Sequence, residues 1–198
     1  ALASFRWQNS AYLLIADVGD NWEQRRTVTL YIVKEPVITA TGIDNGRTAA
    51  IDWQIRFTYE DGPQDCEAVA VDAVRQRVFL LSKHRLKPVL YELKLQSTDQ
   101  DAIAVAHRLT AVPHINWPTA MDLTPDSLSA VVLTYNSGYL FRRRQNEDWA
   151  SAFQRRPQRL RFNRLSQQEA ASFGFYGKSV FVTSERRPAP LVRIDLEE

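Results

Sequence analysis

A single cysteine in 198 residues excludes two kinds of chemistry at once. Cys66 can form no internal disulfide and cannot build a cysteine-based zinc cluster. Histidine is almost as scarce: His84, His107 and His114 stand far apart, without metal-ligand spacing. No apolar run approaches the roughly 20 residues that a membrane-spanning helix needs. The nucleophile elbow Gly-x-Ser-x-Gly, the phosphate-cradling Walker loop and the dinucleotide fingerprint are all absent. Helical periodicity is rare. A formal charge of +2 forces no anionic partner, and 24% charged with 44% hydrophobic residues is the composition of a globular protein.

What the chain does have is a repeat. Four stretches open on small residues: Ala1-Leu2-Ala3, Glu67-Ala68-Val69-Ala70, Thr119-Ala120-Met121-Asp122 and Glu169-Ala170-Ala171-Ser172. Each is followed by an apolar run, at 12–17, 78–83, 131–135 and 180–185, and then by a third strand-like segment, at 28–33, 89–93, 139–141 and 191–194. These segments are rich in Val, Leu, Ile, Phe, Tyr and Thr, which suits strands. The openings recur at roughly 50 to 66 residues, the period of four-stranded propeller blades rather than of helical repeats. The expected fold is therefore all-β, a β-propeller of four-stranded antiparallel blades. The repeat units run over about 1–58, 66–111, 119–163 and 168–198, within one propeller domain or propeller fragment.

Outer, fourth strands are expected at 50–58, 104–109 and 159–162, each alternating polar and apolar residues like a half-solvated edge. Turns fall at Asp44-Asn45-Gly46, Asp61-Gly62-Pro63, Pro125-Asp126 and Asn136-Ser137-Gly138. One short helix is expected from Glu147 to Phe153. The last unit stops after its third strand, and Ala1 lacks the Glu that precedes Ala68 and Ala170. That pattern leads us to expect part of a five- or six-bladed ring; the rival is a closed four-bladed ring with one three-stranded blade.

In a propeller, strand one begins and strand two ends on the same face of the disc. Asp65, Glu67, Asp122, Gln168 and Glu169 come from the first set of positions. Asp17, Lys83, Tyr135 and Glu185 come from the second, and Asp20, Asn21 and Arg186 from adjoining loops. Such a gathering of carboxylates suits a cation or a polyhydroxylated ligand. Asp17-Val18-Gly19-Asp20-Asn21 is the densest oxygen cluster, so calcium is the cofactor to consider, with Asp17, Asp20, Glu67 and Glu169 as ligands. It lacks the spacing of an EF-hand, and a turn held by its own Asp and Asn side chains is the rival reading. Asp65, Glu67 and Lys83 are the catalytic candidates, because paired acids can split their pKa values. Against that, Lys83 and Glu67 can form a plain salt bridge. Cys66 is expected in the core. Trp7, Trp53 and Trp117 are expected to pack between blades, with Trp117 beside the mouth. Arginines at 142–144, 155, 156, 159, 161 and 164 form a basic rim. Glu147, Asp148 and the near-neutral total argue against nucleic acid as its partner.

The run Leu14-Ile15-Ala16-Asp17-Val18-Gly19-Asp20-Asn21, then Arg25-Arg26 and Leu30-Tyr31-Ile32-Val33-Lys34-Glu35-Pro36, resembles a group of uncharacterised, exported bacterial β-propeller proteins. Asp61-Gly62-Pro63-Gln64-Asp65-Cys66-Glu67-Ala68 and Leu133-Thr134-Tyr135-Asn136 share that resemblance. Cys66 departs from it, since the family commonly has Ala there. The resemblance implies a periplasmic or secreted protein and carries no reaction. Three functions follow as expectations: binding of a small molecule or protein partner at the acidic mouth, with Asp17, Asp20, Asn21, Glu67, Asp122, Tyr135, Glu169 and Glu185 as ligand-binding residues; calcium-dependent hydrolysis of a lactone, ester or phosphoester; or assembly through a blade edge or the basic rim.

Overall fold

The computed structural model describes residues 1–36, 48–96 and 102–196; the turn expected at Asp44-Asn45-Gly46 lies outside them. The strands fall in four consecutive antiparallel groups. The first contains β1 (Leu2–Trp7), β2 (Ser10–Asp17), β3 (Val28–Lys34) and β4 (Ile51–Tyr59). The second contains β5 (Cys66–Asp72), β6 (Arg77–Ser82), β7 (Val89–Lys94) and β8 (Ala104–Ala111). Next come β9 (Pro118–Leu123), β10 (Ser129–Thr134), β11 (Gly138–Arg142), the helix α1 (Trp149–Gln154) and β12 (Gln158–Arg159). The last group is β13 (Gln168–Phe173), β14 (Ser179–Ser184) and β15 (Val192–Asp195). The three strand-like segments expected in each unit are all present, and the helix is displaced by two residues at its start.

Three apolar layers hold the groups face to face. Leu14, Leu30, Ile55 and Phe57 pack with Val69, Leu80 and Tyr91 between the first and second groups. Phe79, Leu81 and Leu90 meet Val132, Phe141 and Phe153 between the second and third. Val131, Leu133 and Leu140 meet Val180 and Val182 between the third and fourth. Sheets stacked in this way bury both faces of their middle strands, so β6 and β10 read as unbroken apolar runs rather than alternating ones. The helix belongs to the second layer. Asp148 caps it by accepting from Ser151 N at 2.7 Å, and Trp149, Ala152 and Phe153 are its buried side.

The tight first hairpins share a backbone device. Asn9, Gln76, Ser127 and Gly177 each hold a positive φ just before the second strand. At Gly177 the φ of +68° is compounded by crowding, because a Cβ there would meet Thr124 Cγ2 at 3.1 Å.

The outer strands differ from expectation. β4 does not end on a solvated edge: Phe57, Thr58 and Tyr59 pair in parallel with Ala104, Val105 and Ala106 of β8. The two outer strands satisfy one another's backbone groups, and the first two blades become one eight-stranded sheet. Glu60 extends the seam, its amide donating to Ala106 O at 3.1 Å and its carboxylate accepting from Arg108 N at 2.8 Å. The third outer strand is only two residues long, and Leu160 beyond it turns into the core. Trp7 and Trp53 pack against each other and Tyr12, with ring centroids 5.4 Å and 5.1 Å apart for the pairs that Trp53 makes.

Phe57 is fully buried and stacks edge-on to Tyr59 at 5.3 Å beside the parallel seam. Phe57→Ala is expected to cost about 3–5 kcal/mol, read as a lower urea midpoint with an unchanged slope.

Candidate functional site

The site grows out of irregularities at the starts of the inner strands. In β5, Cys66 pairs with Ser82 and Ala68 with Leu81, so Glu67 is an extra residue bulged out of the ladder. In β13, Gln168 pairs with Ser184 and Ala170 with Thr183, which makes Glu169 the bulged residue. In β9, Thr119 stands between the pairs Pro118–Thr134 and Ala120–Leu133. A bulge re-aims one side chain without ending the strand. Repeated three times, it turns Glu67, Thr119 and Glu169 into the wall of a central cavity of about 510 Å³. Ala120, Ala170 and Ala171 supply its narrow apolar lining, and Glu185, just past the end of β14, completes the acidic end.

The charges there are unequal. Lys83 Nζ lies 2.6 Å from Glu67 Oε1 and 5.1 Å from the centroid of the Tyr135 ring. Burial works against the Lys83 ammonium, but Glu67 and Tyr135 outweigh it and hold the amine above its ordinary range. Among the described residues, Glu169 makes no such ion pair, and Lys83 acts on it only from a distance. The desolvation of Glu169 comes first, then a hydrogen bond shared with Glu185 and the charges of Glu185 and Glu67; together they push Glu169 up to about 7, against the opposing pull of Lys83. Glu169 therefore holds its proton to a higher pH than an ordinary carboxyl group does.

Asp17 and Asp20 are committed to Arg25. The guanidinium of Arg25 donates to both Asp17 carboxylate oxygens at 2.8 Å and to Gly19 O at 3.1 Å. That hydrogen-bonded pair holds Asp17 below the ordinary carboxylate range. Asp20 accepts from Arg25 N at 2.6 Å, while its own amide donates to Asp65 Oδ1 at 2.9 Å. The Asp17–Asn21 segment is thus a tied turn that also latches the first blade to the second. Among the described residues, no three His, Cys, Asp or Glu side chains assemble a set that could hold a metal ion.

Asp122 belongs to the opposite end of the inner strands. It is half-buried and accepts from Leu123 N at 2.9 Å and Phe173 N at 2.8 Å, fastening β9 to the far end of β13. Burial pushes it up to about 6, with those two amides pulling back. Gln168 is fully buried and donates to Thr134 O at 2.7 Å; Arg186 donates to Gln167 Oε1 at 2.7 Å. Cys66 is sealed in the core, where burial pushes its thiol up to about 12 and makes it a poor nucleophile. Asn21, Asp65 and Tyr135 line a second hollow of about 480 Å³, which also has Lys83 in its wall. On the basic rim, Arg143 is buried against Ser127 O and Glu147 O, and Arg155 pairs with Glu147.

Sequence reasoning gathered Glu67, Lys83, Tyr135, Glu169 and Glu185, and the structure brings these five into one neighbourhood. It missed Thr183 and Ser184 in the cavity wall and Arg25 as the partner of Asp17. Thr119 was visible in the repeat alignment, but as a strand opening rather than a polar wall residue.

These features define a β-propeller, and the solved structures it is similar to agree. One is a chain of a nidogen–laminin complex, with a TM-score of 0.55 at 9% identity, covering 93% of this chain and 57% of that one. Another is hydrazine synthase of Kuenenia stuttgartiensis, at 0.52 and 11% identity, covering 98% of this chain and 45% of that one. TolB from Acinetobacter baumannii gives 0.48 at 13% identity, over 99% and 40%. The chain therefore spans less than two thirds of the length of each, and the likeness is one of fold. No family model matches the sequence, and no curated protein matches it. No helix among the described residues is long and apolar enough to cross a membrane.

The Glu169–Glu185 pair makes stability depend on pH with a definite sign. Glu169 binds its proton more tightly in the folded chain than in the unfolded one, where it titrates near its ordinary 4.5. Folding stability should therefore fall as pH rises from about 4.5 to about 7 and level off above. Glu185→Gln removes the repulsion, so its melting temperature should gain more at pH 8 than at pH 4. In a carbon-13 carboxyl titration of the same variant, Glu169 should move back toward its ordinary range. An unmoved Glu169 would show that the two groups do not interact.

Proposed function

We propose that this propeller is a binding protein whose acidic mouth takes a positively charged group, an ammonium or guanidinium of a small molecule or of a protein partner. One observation carries the reading: Glu67, Glu169 and Glu185 line one cavity wall, and among the described residues the ion pair made there is that of Lys83 with Glu67. A group that is held protonated by its neighbours' charge exchanges that proton for a cation at little electrostatic cost. The cavity below is of the size that encloses a small ligand, and its alanine-lined throat leaves room for an alkyl chain. The expected exported location forms part of the same proposal, since a mouth of this kind suits capture of ligands or partners outside the cytoplasm.

Calcium-dependent hydrolysis has less to support it. Asp17 and Asp20 are occupied by Arg25, and Asp65 by the Asp20 amide, so neither a ligand set nor a free acid–base pair remains at that turn. We derive no step through a metal.

Titration calorimetry with cadaverine, agmatine and a lysine-rich peptide tests the proposal. At pH 7, repeated in buffers of different ionisation enthalpy, binding should release protons. Glu169→Gln and Glu185→Gln should each weaken it by about tenfold, equivalent to about 1.4 kcal/mol. Binding that is unchanged in both variants, or absent for all three probes, would overturn the assignment.

A further inference from the structure

The second hollow has a different chemistry from the mouth, and its wall includes a residue in an unusual conformation. Trp117 has φ of +49°, in the left-handed region that bulky residues avoid. It also precedes Pro118, whose ring drives the preceding residue toward extended backbone. Glu23, on the same wall, has φ of +50°. Trp117 is held in place from two sides. Its amide donates to His84 O at 3.2 Å, and Pro118 is locked into the β9–β10 ladder opposite Thr134. The His84 loop is itself braced, with Nδ1 accepting from Leu86 N at 3.2 Å and Lys87 N at 3.1 Å. The result is an indole left 37% exposed in the hollow, whereas Trp149 is buried in the core. Pro118 pairs with Thr134, and the residues next to that pair, Trp117 and Tyr135, both line the hollow as its aromatic ledge.

Around that ledge the charges balance. Glu23 and Asp65 face Lys83 and Arg85 across a space of about 480 Å³. A cation is repelled by the last two and an anion by the first two. A plain aromatic ligand would stack on the ledge but offer no hydrogen bonds to Glu23 and Arg85, the two charged groups of the wall not already tied as Asp65 is to the Asp20 amide and Lys83 to Glu67. A ligand that is neutral, has a face of C–H groups and carries hydroxyls that both donate and accept meets every requirement. We propose that this hollow is a saccharide-binding site, with one sugar ring seated on Trp117 and its hydroxyls distributed among Asp65, Glu23 and Arg85. The proposal stands apart from the cation site, since it rests on a different hollow and a different charge balance.

The test uses tryptophan fluorescence and saturation-transfer NMR on the full chain with glucose, N-acetylglucosamine, maltotetraose and chitotetraose. At least one should bind saturably. Trp117→Gly adopts a positive φ freely, so the variant should melt no lower than the parent yet lose at least tenfold in affinity. Arg85→Ala changes an exposed side chain and should lose several-fold, which keeps the test decisive if the glycine variant folds poorly. Trp22→Ala, at a residue 82% exposed and outside the hollow, should bind as the parent does. The assignment falls if none of the four saccharides binds, if Trp117→Gly and Arg85→Ala bind them unchanged, or if the only probes that bind are amines or indole. Amine binding that survives in Trp117→Gly would leave the mouth reading intact, so the two proposals fail separately.

Discussion

The inner strands β1, β5, β9 and β13 converge on one axis, around a cavity of about 510 Å³. Two features of the sequence meet there. Small side chains line the axis, among them Ala120, Ala170 and Ala171, and the second residues of three strands bulge out of their ladders. The bulged side chains cannot return to the apolar layers between sheets, where Leu, Val and Phe already fill the volume. Glu67 and Glu169 are half-buried at the cavity wall, and Thr119 is buried there with its hydroxyl donating to Gln168 O at 3.0 Å, so polar residues are tolerated at these positions. The arrangement of Glu67, Thr119 and Glu169 is thus a consequence of how blades converge, and their chemistry is what the sequence is free to choose.

That choice concentrates negative charge. Of the acids at the mouth, Glu67 is compensated by Lys83, which is itself sandwiched against Tyr135. Glu169 stands among Glu185, Glu67 and the more distant Lys83, and burial together with its acidic neighbours raises its proton affinity. Elsewhere the chain spends its acids differently. Asp17 neutralises Arg25, Asp20 and Asp65 accept backbone amides, and Asp122 accepts two of them where the third and fourth blades meet. A carboxylate with two amide donors is a structural fastener, whereas one facing another carboxylate is poised to exchange a proton or meet a cation.

The strands were legible because their signal is local. An apolar run such as Val131-Val132-Leu133 announces a middle strand buried on both faces, and a repeat of such runs announces stacked sheets. The mouth was legible for the same reason: Glu67 and Glu169 occupy equivalent places in the repeat, and equivalent places in a repeat share a direction. Non-local pairing left no such trace. Nothing in Phe57-Thr58-Tyr59 or Ala104-Val105-Ala106 declares that these outer strands run parallel and pair, because a paired edge and a solvated edge use the same alternation. Asp122 was placed at the wrong end of its strand because the opening motif was read as a block. Three residues along a strand cover about 10 Å, enough to leave the mouth altogether. Trp117 was placed by its position before Pro118, but its left-handed backbone runs against what a Trp-Pro pair predicts.

Lys83 ties the two hollows into one electrostatic system. Its ammonium is the counter-charge of Glu67 on the cavity side and a member of the balanced wall on the other. A ligand group that hydrogen-bonds Lys83 from the second hollow competes with Glu67 for the same three donors. Any lengthening of that ion pair leaves Glu67 more exposed to Glu169, so the field at the mouth becomes more negative. Affinity for a cation rises, and the proton on Glu169 is held more firmly in its absence. Linkage makes the effect reciprocal: a cation seated among the three carboxylates lowers the demand of Glu67 on Lys83 and frees the ammonium to face the second hollow. If both proposed sites are occupied, the lysine they share couples them, through an ion pair that solvent screens only in part.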